Sequence, residues 1–325
     1  MPQPPAFWRR GGGGLLADLL SPLGLVTTAV TARRMARPGW RAPVPVICCG
    51  NVTVGGAGKT TLALDLGHRL LVRGHRVHFL LRGYGGSRIG THRVAAGDTA
   101  ALVGDEALLL AAVAPTWTGA DRAASARAAA AAGAQVLVLD DGLQNPTLHK
   151  DLSLLVVDGA TGFGNGRVLP AGPLREPVAA GASRCQAAVL IGSDVGDAAA
   201  LLPAELPVLR ARLAPDREAA ALAGQTLLAF AGIASPAKFF ATLRDAGAVL
   251  AGAVAFPDHH HYTERELRRL LDQALELGAA PATTRKDAVR LPDAIRRQVC
   301  VIGVTLDWDD PVSMEALLAR TMCNV

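Results

Sequence analysis

The feature that most constrains this chain is a glycine-rich segment between an apolar run and a helix-forming run. Residues 53–60 read Thr-Val-Gly-Gly-Ala-Gly-Lys-Thr and follow a strand predicted over 44–49. The phosphate-binding loop pattern GxxxxGK[ST] has glycine at its first position, where this chain has Thr53. The remainder fits, because the glycines let backbone N–H groups face a phosphate at the start of a helix predicted over 59–73. The spacing favours a phosphate-binding loop over an ordinary glycine-rich turn.

The residue types in this loop predict how a nucleotide would be held. Lys59 would contact the β- and γ-phosphates, and the hydroxyl of Thr60 would ligate Mg²⁺. The residues predicted to surround the nucleotide are consecutive: Thr53, Val54, Gly55, Gly56, Ala57, Gly58, Lys59, Thr60 and Thr61.

A second apolar run supports the same chemistry. A strand predicted over 135–139 is followed by Asp140 and Asp141. In nucleotide-binding α/β proteins the metal lies beyond the carboxyl end of such a strand. We therefore predict Thr60, Asp140 and Asp141 as metal ligands, and hydrolysis of a nucleotide or phosphoryl transfer as the reaction class.

Short apolar runs alternate with helical segments from residue 44 onward, which predicts an α/β fold with a parallel sheet. We expect a P-loop NTPase-like α/β/α sandwich with a second, smaller α/β domain. The predicted domains are an N-terminal basic and apolar helical arm (1–43), a nucleotide-binding domain (44–222) and a smaller C-terminal domain (223–325). Further strands are predicted over 76–81, 152–157, 226–231, 249–256, 282–284 and 299–306, and helices over 105–113, 120–132, 236–246, 264–277 and 312–320.

The positive charge of the chain is confined to its N-terminal segment. Lys and Arg number 33 against 28 Asp and Glu, a net charge of +5. Residues 1–45 contain six arginines and one acidic residue, so the remainder is balanced and a nucleic-acid-binding protein is not favoured. Five cysteines without a CxxC pair predict reduced thiols and a cytoplasmic protein.

The same segment contains an apolar run over 15–30, flanked by tryptophan and arginine. A spanning helix needs about 20 apolar residues, and this run is shorter and is interrupted by Asp18 and Pro22. Two interpretations remain open: a helix lying at a membrane interface, or a helix packed on the domain.

Three further clusters suggest a site for a second substrate. Asp105 and Glu106 begin a predicted helix, where acidic residues ordinarily act as caps. Residues 258–262 contain three consecutive histidines after an aspartate, and one imidazole oriented by a carboxylate is a more credible proton acceptor than a metal site. The loop 161–177 is too long for a plain connection, and its Arg167, Arg175 and Glu176 could hold an anionic acceptor or stay solvated.

These stretches together resemble the tetraacyldisaccharide 4′-kinases, the lipid A 4′-kinases of Gram-negative bacteria. Thr at the first position of the loop is itself the form found in that family. The matching segments run in family order: GNVTVGGAGKTTL (50–62), RGYGG (82–86), GDEALLLA (104–111), DDGLQN (140–145), DL and VVD (151–158), GNGRVLPAGPLREP (164–177), FAGIASPAKFF (230–240), FPDHHHYT (256–263) and KDAVRL (286–291).

The resemblance implies that ATP and Mg²⁺ are used to phosphorylate the 4′-hydroxyl of a membrane-embedded tetraacyldisaccharide 1-phosphate. It implies an active site in a cleft between two domains and an N-terminal helix at the cytoplasmic face of the inner membrane, with no obligate protein partner evident. Asp105 and His259 would be an acid–base dyad assisted by Lys59, with His260 as the alternative histidine. The residues implied to contact the acceptor are Arg175, Glu176 and Asn165.

Four positions depart from the family pattern: Leu81, Ala107, Asn145 and Arg285. Asn145 and Arg285 put nearby nucleotide or substrate contacts in question. The main alternative function is a membrane-associated regulatory P-loop ATPase or GTPase of the partitioning or metallochaperone type, although the sequence contains no NKxD-like guanine-specificity element. A nucleotide-gated adaptor without enzymatic activity is a third, weaker alternative.

Overall fold

The computed structural model describes residues 4–216 and 222–323, which form two β-sheets flanked by helices. The strands are β1 (Val46–Gly50), β2 (Val77–Leu81), β3 (His92–Arg93), β4 (Thr116–Thr118), β5 (Val136–Asp140), β6 (Leu152–Asp158), β7 (Ala187–Ile191), β8 (Val208–Pro215), β9 (Thr226–Ala231), β10 (Val249–Ala255), β11 (Ala280–Thr284), β12 (Cys300–Ile302) and β13 (Val304–Trp308). The helices are α1 (Leu15–Met35), α2 (Lys59–Val72), α3 (Ala100–Val103), α4 (Asp105–Ala111), α5 (Arg122–Ala131), α6 (Val178–Ala182), α7 (Pro236–Asp245), α8 (Glu264–Glu276), α9 (Arg285–Ala288), α10 (Asp293–Arg296) and α11 (Pro311–Cys323).

The larger sheet has, within the described residues, nine strands in the order β13-β8-β7-β6-β1-β5-β2-β4-β3. Its inner strands pair in parallel, whereas β3 and β13 pair antiparallel at the two edges. Strand β1 lies in the middle between β5 and β6, so the chain leaves its carboxyl end beside the carboxyl end of β5.

Helices cover both faces of this sheet, because successive residues of a strand point to opposite faces. Ile47 and Cys49 of β1 join a core with α2, α4 and α11, whereas Val46 and Cys48 join a core with α5. All four side chains are fully buried. The predicted α/β/α sandwich is thereby confirmed.

The smaller sheet is parallel, with the order β10-β9-β11-β12. Residues of β9 alternate between two cores, one with Phe239 and Leu243 of α7 and one with Leu267 and Leu270 of α8. This second α/β unit, also predicted, is therefore a sandwich of the same type.

The C-terminal segment of the chain returns to the larger domain, unlike the predicted assignment of 223–325 to the smaller one. The strand predicted over 299–306 is two strands: β12 belongs to the smaller sheet, and β13 pairs with β8 in the larger sheet. Gly303 separates them, and its N–H donates to Oδ2 of Asp216 at 2.9 Å. The predicted boundary after residue 222 stays a prediction, since residues 217–221 lie outside the described residues.

Helix α1 packs on the domain by one narrow stripe. Ala17 and Gly24, two turns apart, are its buried residues, and the carbonyl of Val168 lies 3.1 Å from where a Cβ on Gly24 would be. Among the described helices α1 is the one long and apolar enough to cross a membrane, with a mean hydropathy of 1.6 and 11% of the apolar window buried. Seven large apolar side chains of this helix are exposed: Leu15, Leu16, Leu19, Leu23, Leu25, Val26 and Val30.

We predict that Gly303→Ala destabilises the chain where it passes from one domain to the other. A Cβ at this position would lie 2.3 Å from Oδ2 of Asp216 and 2.5 Å from Nε of Arg285. Such overpacking typically costs about 1–3 kcal/mol of unfolding free energy, measurable by urea denaturation. The matched control is Gly97→Ala, whose Cβ would meet no atom within 4 Å. Equal stability of the two variants would contradict the tight packing of this crossing.

Candidate active site

The glycine-rich loop joins the carboxyl end of β1 to the start of α2, as the sequence predicts. Gly55 and Gly58 have φ values of 117° and 91°, a region that disfavours residues with a Cβ. A Cβ on Gly55 or Gly56 would meet no atom within 4 Å, so this side of the loop is open. The open loop and the N-terminus of a 14-residue helix together form a cradle suited to phosphate.

Thr60 and Asp140 meet at the start of α2. The Thr60 hydroxyl donates to Oδ2 of Asp140 at 2.6 Å. Oδ1 of Asp140 is buried and has no hydrogen-bond partner. Burial raises the pKa of Asp140 to about 7, against a lowering by the Thr60 hydrogen bond and the Lys59 charge. An unpartnered buried carboxylate oxygen beside a hydroxyl is the donor set that Mg²⁺ takes in nucleotide sites, so these residues fit the implied metal.

The Lys59 ammonium lies across the mouth of the loop. It donates to Oδ1 of Asn51 at 3.1 Å and lies 3.9 Å from Oδ1 of Asp141. Asp141 has a φ of 57°, which is uncommon for a residue with a Cβ. This backbone conformation turns the chain away from the direction of β5. Nη1 of Arg175 donates to both oxygens of Asp141 at 3.0 and 3.1 Å. Two cations thus flank the carboxylate that follows Asp140.

The loop 161–177 lies against the phosphate-binding loop through its backbone. Thr53 and Leu174 form an antiparallel bridge, and the N–H of Val54 donates to the carbonyl of Pro173 at 2.9 Å. The N–H of Arg175 donates to the carbonyl of Val52 at 2.7 Å. This pairing carries Arg175 to Asp141.

Glu176 and Asn165 have structural partners. Glu176 is 2% exposed, and both its oxygens accept from Nη2 of Arg184, at 2.7 and 2.8 Å. Nε2 of Gln144 also donates to Glu176 and to the carbonyl of Asn51, at 2.8 Å each. The Asn165 amide donates to the carbonyls of Phe7 and Ala171 at 2.8 and 2.9 Å. Glu176 and Asn165 therefore anchor the loop in this conformation, while Arg175 faces the site.

Asp105 and His259 meet across the two domains. Asp105 begins α4 in the larger domain, and His259 follows β10 in the smaller one with a φ of 58°. Nδ1 of His259 and Oδ2 of Asp105 are 2.8 Å apart. Burial raises the pKa of Asp105, but the His259 hydrogen bond and the charges of Arg290, His259 and Lys286 outweigh it, and the net pKa is lowered.

Neighbouring residues separate the roles of the consecutive histidines. His260 stacks on Phe256 with ring centroids 4.7 Å apart, and its Nε2 lies 3.2 Å from Glu266. The alternative histidine is thus part of an aromatic cluster, and the structure brings His259, not His260, to Asp105.

Two of the departures from the family pattern, Asn145 and Arg285, make side-chain contacts within the protein. Asn145 accepts from the N–H and hydroxyl of Thr147 and closes a turn. Arg285 lies 2.7 Å from Asp216, at the crossing between the domains.

Comparisons with known proteins find one kind of kinase. A family profile described as tetraacyldisaccharide-1-P 4′-kinase matches residues 16–322. The tetraacyldisaccharide 4′-kinase of Gluconacetobacter diazotrophicus is 60% identical over 97% of this chain and 96% of its own length. That of Rhodospirillum centenum is 57% identical, over 97% and 95%.

The chain belongs to the tetraacyldisaccharide 4′-kinase family. The resemblance found in the sequence is thereby confirmed. The fold agrees as well: a solved structure, described as the "apo" form of LpxK from Aquifex aeolicus in complex with ATP, superposes with a TM-score of 0.76 at 24% identity. The match covers 95% of this chain and 100% of that one.

Several residues of this kinase-family site carried no role in the sequence interpretation. Lys286 and Arg290 lie in KDAVRL, and Gln144 lies in DDGLQN. The motifs therefore identified the segments but did not predict the contacts that these three side chains make. The Arg290 side chain is 2% exposed, and its Nε lies 3.2 Å from Oδ2 of Asp105. Arg184 lies outside every matched segment, and nothing in its surroundings in the sequence indicates the buried pair with Glu176.

We predict that Asp140→Asn stabilises the nucleotide-free and metal-free protein at alkaline pH. The folded pKa, about 7, lies above the ordinary 3.8, so protonation of Asp140 contributes stability that is complete at low pH and lost as pH rises through 7. Asparagine cannot ionise and can still accept from Thr60. We expect the unfolding free energy in urea to rise by up to about 4 kcal/mol near about pH 8.5 and to change little near about pH 4. No gain at the higher pH would show that the ionised carboxylate is already compensated.

Proposed function

We propose that this chain transfers the γ-phosphate of ATP to the 4′-hydroxyl of tetraacyldisaccharide 1-phosphate, the phosphorylation step of lipid A biosynthesis that its family name describes. The observation that carries the proposal is the Asp105–His259 contact beside a phosphate-binding loop. The charge of Glu106, next to Asp105, raises the pKa of Asp140, which supports placing the pair and the loop in one site. A hydroxyl acceptor needs such a base, whereas a nucleotide switch does not.

The residues described above have separate roles in the proposed phosphoryl transfer. Lys59 and the loop N–H groups hold the phosphates of ATP, and Arg175 keeps the carboxylate of Asp141 in place. The acceptor oxygen attacks the γ-phosphorus as the bond to the β–γ bridging oxygen breaks. The hydroxyl proton passes to the Asp105–His259 pair, and ADP leaves. Most of the acceleration comes from in-line positioning and charge neutralisation, as in other phosphoryl transfers.

Thr60, Asp140 and Asp141 would hold Mg²⁺. When bound, the ion neutralises charge on the phosphates and on the buried carboxylate. The support for this assignment is the unpartnered Oδ1 of Asp140. The regulatory ATPase or GTPase alternative is not favoured by the family to which the chain belongs.

We also infer that α1 contacts the cytoplasmic face of the inner membrane, where an acylated acceptor would reside. The exposed leucines and valines of α1 would enter the apolar layer, and the arginines after the helix would face anionic headgroups. The narrow packed stripe leaves these side chains free of the protein interior.

The deciding experiment for the activity is transfer of labelled γ-phosphate to tetraacyldisaccharide 1-phosphate. We expect a labelled glycolipid product from the full chain, and at least about a 100-fold lower turnover from Asp105→Ala with ATP binding retained. Release of inorganic phosphate alone, with or without the glycolipid, would contradict the kinase and support a switch. Near-normal glycolipid turnover by Asp105→Ala would contradict the assignment of the base.

For the membrane contact we predict that Leu19→Glu and Val26→Glu each weaken sedimentation with vesicles of anionic phospholipid. Both side chains are exposed, at 73% and 60%, so the substitutions leave the packed stripe intact. The matched control is Leu275→Glu, an 82% exposed leucine on α8. Each burial of a leucine in the bilayer contributes about 1.5–3 kcal/mol, so at least about a tenfold weaker partition is expected. If Leu19→Glu and Val26→Glu sediment with the vesicles as well as Leu275→Glu does, the proposed contact between α1 and the membrane is refuted.

A further inference from the structure

Lys286, in α9 of the smaller domain, brings a cation beside the Asp105–His259 pair. Its ammonium lies 3.2 Å from Nε2 of His259, 3.5 Å from Oε1 of Glu106 and 3.7 Å from Oδ1 of Asp258. The side chain is three-quarters buried, at 26% exposed. A positive charge is thus held against the ring nitrogen that faces away from Asp105.

The chemistry of the two contacts leaves His259 a single consistent protonation state. A lysine ammonium only donates hydrogen bonds, so Nε2 of the imidazole must present its lone pair. An ionised carboxylate only accepts, so Nδ1 must carry the hydrogen that Oδ2 of Asp105 receives. In an imidazolium, Nε2–H would point at the ammonium, and two cations would repel each other at 3.2 Å.

We propose that Lys286 is a positioning residue that holds His259 neutral with its proton on Nδ1, so that the Asp105–His259 pair can still accept a proton at mildly acidic pH. The inference rests on the proposed phosphoryl transfer to a hydroxyl. Without the ammonium, protonation of Nε2 would give an aspartate–imidazolium ion pair, in which the added positive charge makes the Asp105 carboxylate a weaker acceptor for the hydroxyl proton.

The other charges around His259 make this role specific to Lys286. From α4 come Asp105 and Glu106, and from the segment before the histidine comes Asp258, whose Oδ2 is 3.8 Å from Nε2. Arg290, the second cation, lies against Asp105 on the Nδ1 side of the ring. Two carboxylates, those of Asp105 and Asp258, thus lie at the ring nitrogens, and Lys286, which also contacts Glu106, is the cation placed at Nε2.

A purely structural role for Lys286 would be different and measurable. Its ammonium also links Glu106 of the larger domain to the smaller domain, and such a link would affect stability or substrate binding without changing the protonation of His259. Lys238 supplies a matched control, since its ammonium lies 3.5 Å from Asp158 and also joins the two domains, in a pair that contains no histidine.

The first test is the pH profile of kcat for glycolipid phosphorylation by Lys286→Met, Lys286→Arg and Lys238→Met. We expect Lys286→Met to shift the acidic limb upward by roughly one pH unit, which is about a tenfold loss of kcat below the limb. KM for ATP should change less than about twofold, since the phosphate contacts remain. Lys286→Arg should restore most of the profile, and Lys238→Met should leave it in place. An unshifted limb in Lys286→Met, or an equal shift in Lys238→Met, overturns the proposal.

The second test reads the tautomer directly and needs no activity. In protein labelled with ¹⁵N-histidine, the ring signals of His259, assigned by their loss in His259→Gln, should show protonated Nδ1 and unprotonated Nε2. In Lys286→Met the Nε2 signal should move toward the protonated form as pH falls, at a higher pH than in the unaltered protein. Identical titrations would overturn the proposal. If the unaltered protein phosphorylates no glycolipid, the proposed function fails, and these spectra still decide the role of Lys286.

Discussion

The active site depends first on β1 and β5 being parallel neighbours. Their register places Cys49 beside Asp140, so the loop that leaves β1 and the carboxylates that end β5 emerge together at one edge of the sheet. The 2.6 Å hydrogen bond between Thr60 and Asp140 follows from that adjacency. The same position buries the Asp140 carboxylate, and this burial raises its pKa to about 7. The fold thus maintains an unfavourable local charge where a phosphate-bound cation would relieve it.

The second constraint is the passage of the chain between domains. Residues near Asp216 lead into the smaller domain, and Gly303 leads back, with the Asp216 carboxylate contacting both Gly303 and Arg285. The pair of Asp105 and His259 is formed across the same two domains. The relative placement of the domains therefore sets the geometry of the proposed proton acceptor, because no single domain contains both of these groups.

Much of the larger fold follows from local sequence. The alternation of apolar runs with helices predicts β1, β2, β5 and β6 to within two residues at each end, because buried parallel strands are continuously apolar. Strands β7 and β8 were not predicted, although the apolar run of β7 and the alternation of apolar and charged residues in β8 are detectable signals. The division of 299–306 into β12 and β13 could not be found in this way. Continuous strand propensity on both sides of Gly303 does not reveal that the two halves pair in different sheets.

Sequence motifs predicted which segments of the chain contribute residues to the candidate site. The glycine-rich loop, the two aspartates after β5 and the histidine segment are contiguous and chemically distinctive, so the sequence alone indicates them as candidate site residues. The roles of Arg184, Arg290 and Lys286 depend on contacts with residues distant in the chain, such as Arg290 with Asp105. Spacing along a sequence contains no information about such pairs unless a covarying partner is known.

The loop 161–177 joins the catalytic centre to the N-terminal arm. One side of it pairs with the phosphate-binding loop through Thr53 and Leu174. Its other side contacts the arm, where Arg167 lies 2.6 Å from Asp18 of α1 and donates to Ser21 at 2.7 Å. A helix held against a membrane surface would therefore fix this loop, and with it Arg175 and Asp141, relative to that surface. If α1 makes the proposed membrane contact, this connection gives a physical reason for an exposed apolar helix on a nucleotide-binding domain: the helix would orient the phosphate donor toward an acceptor in the bilayer.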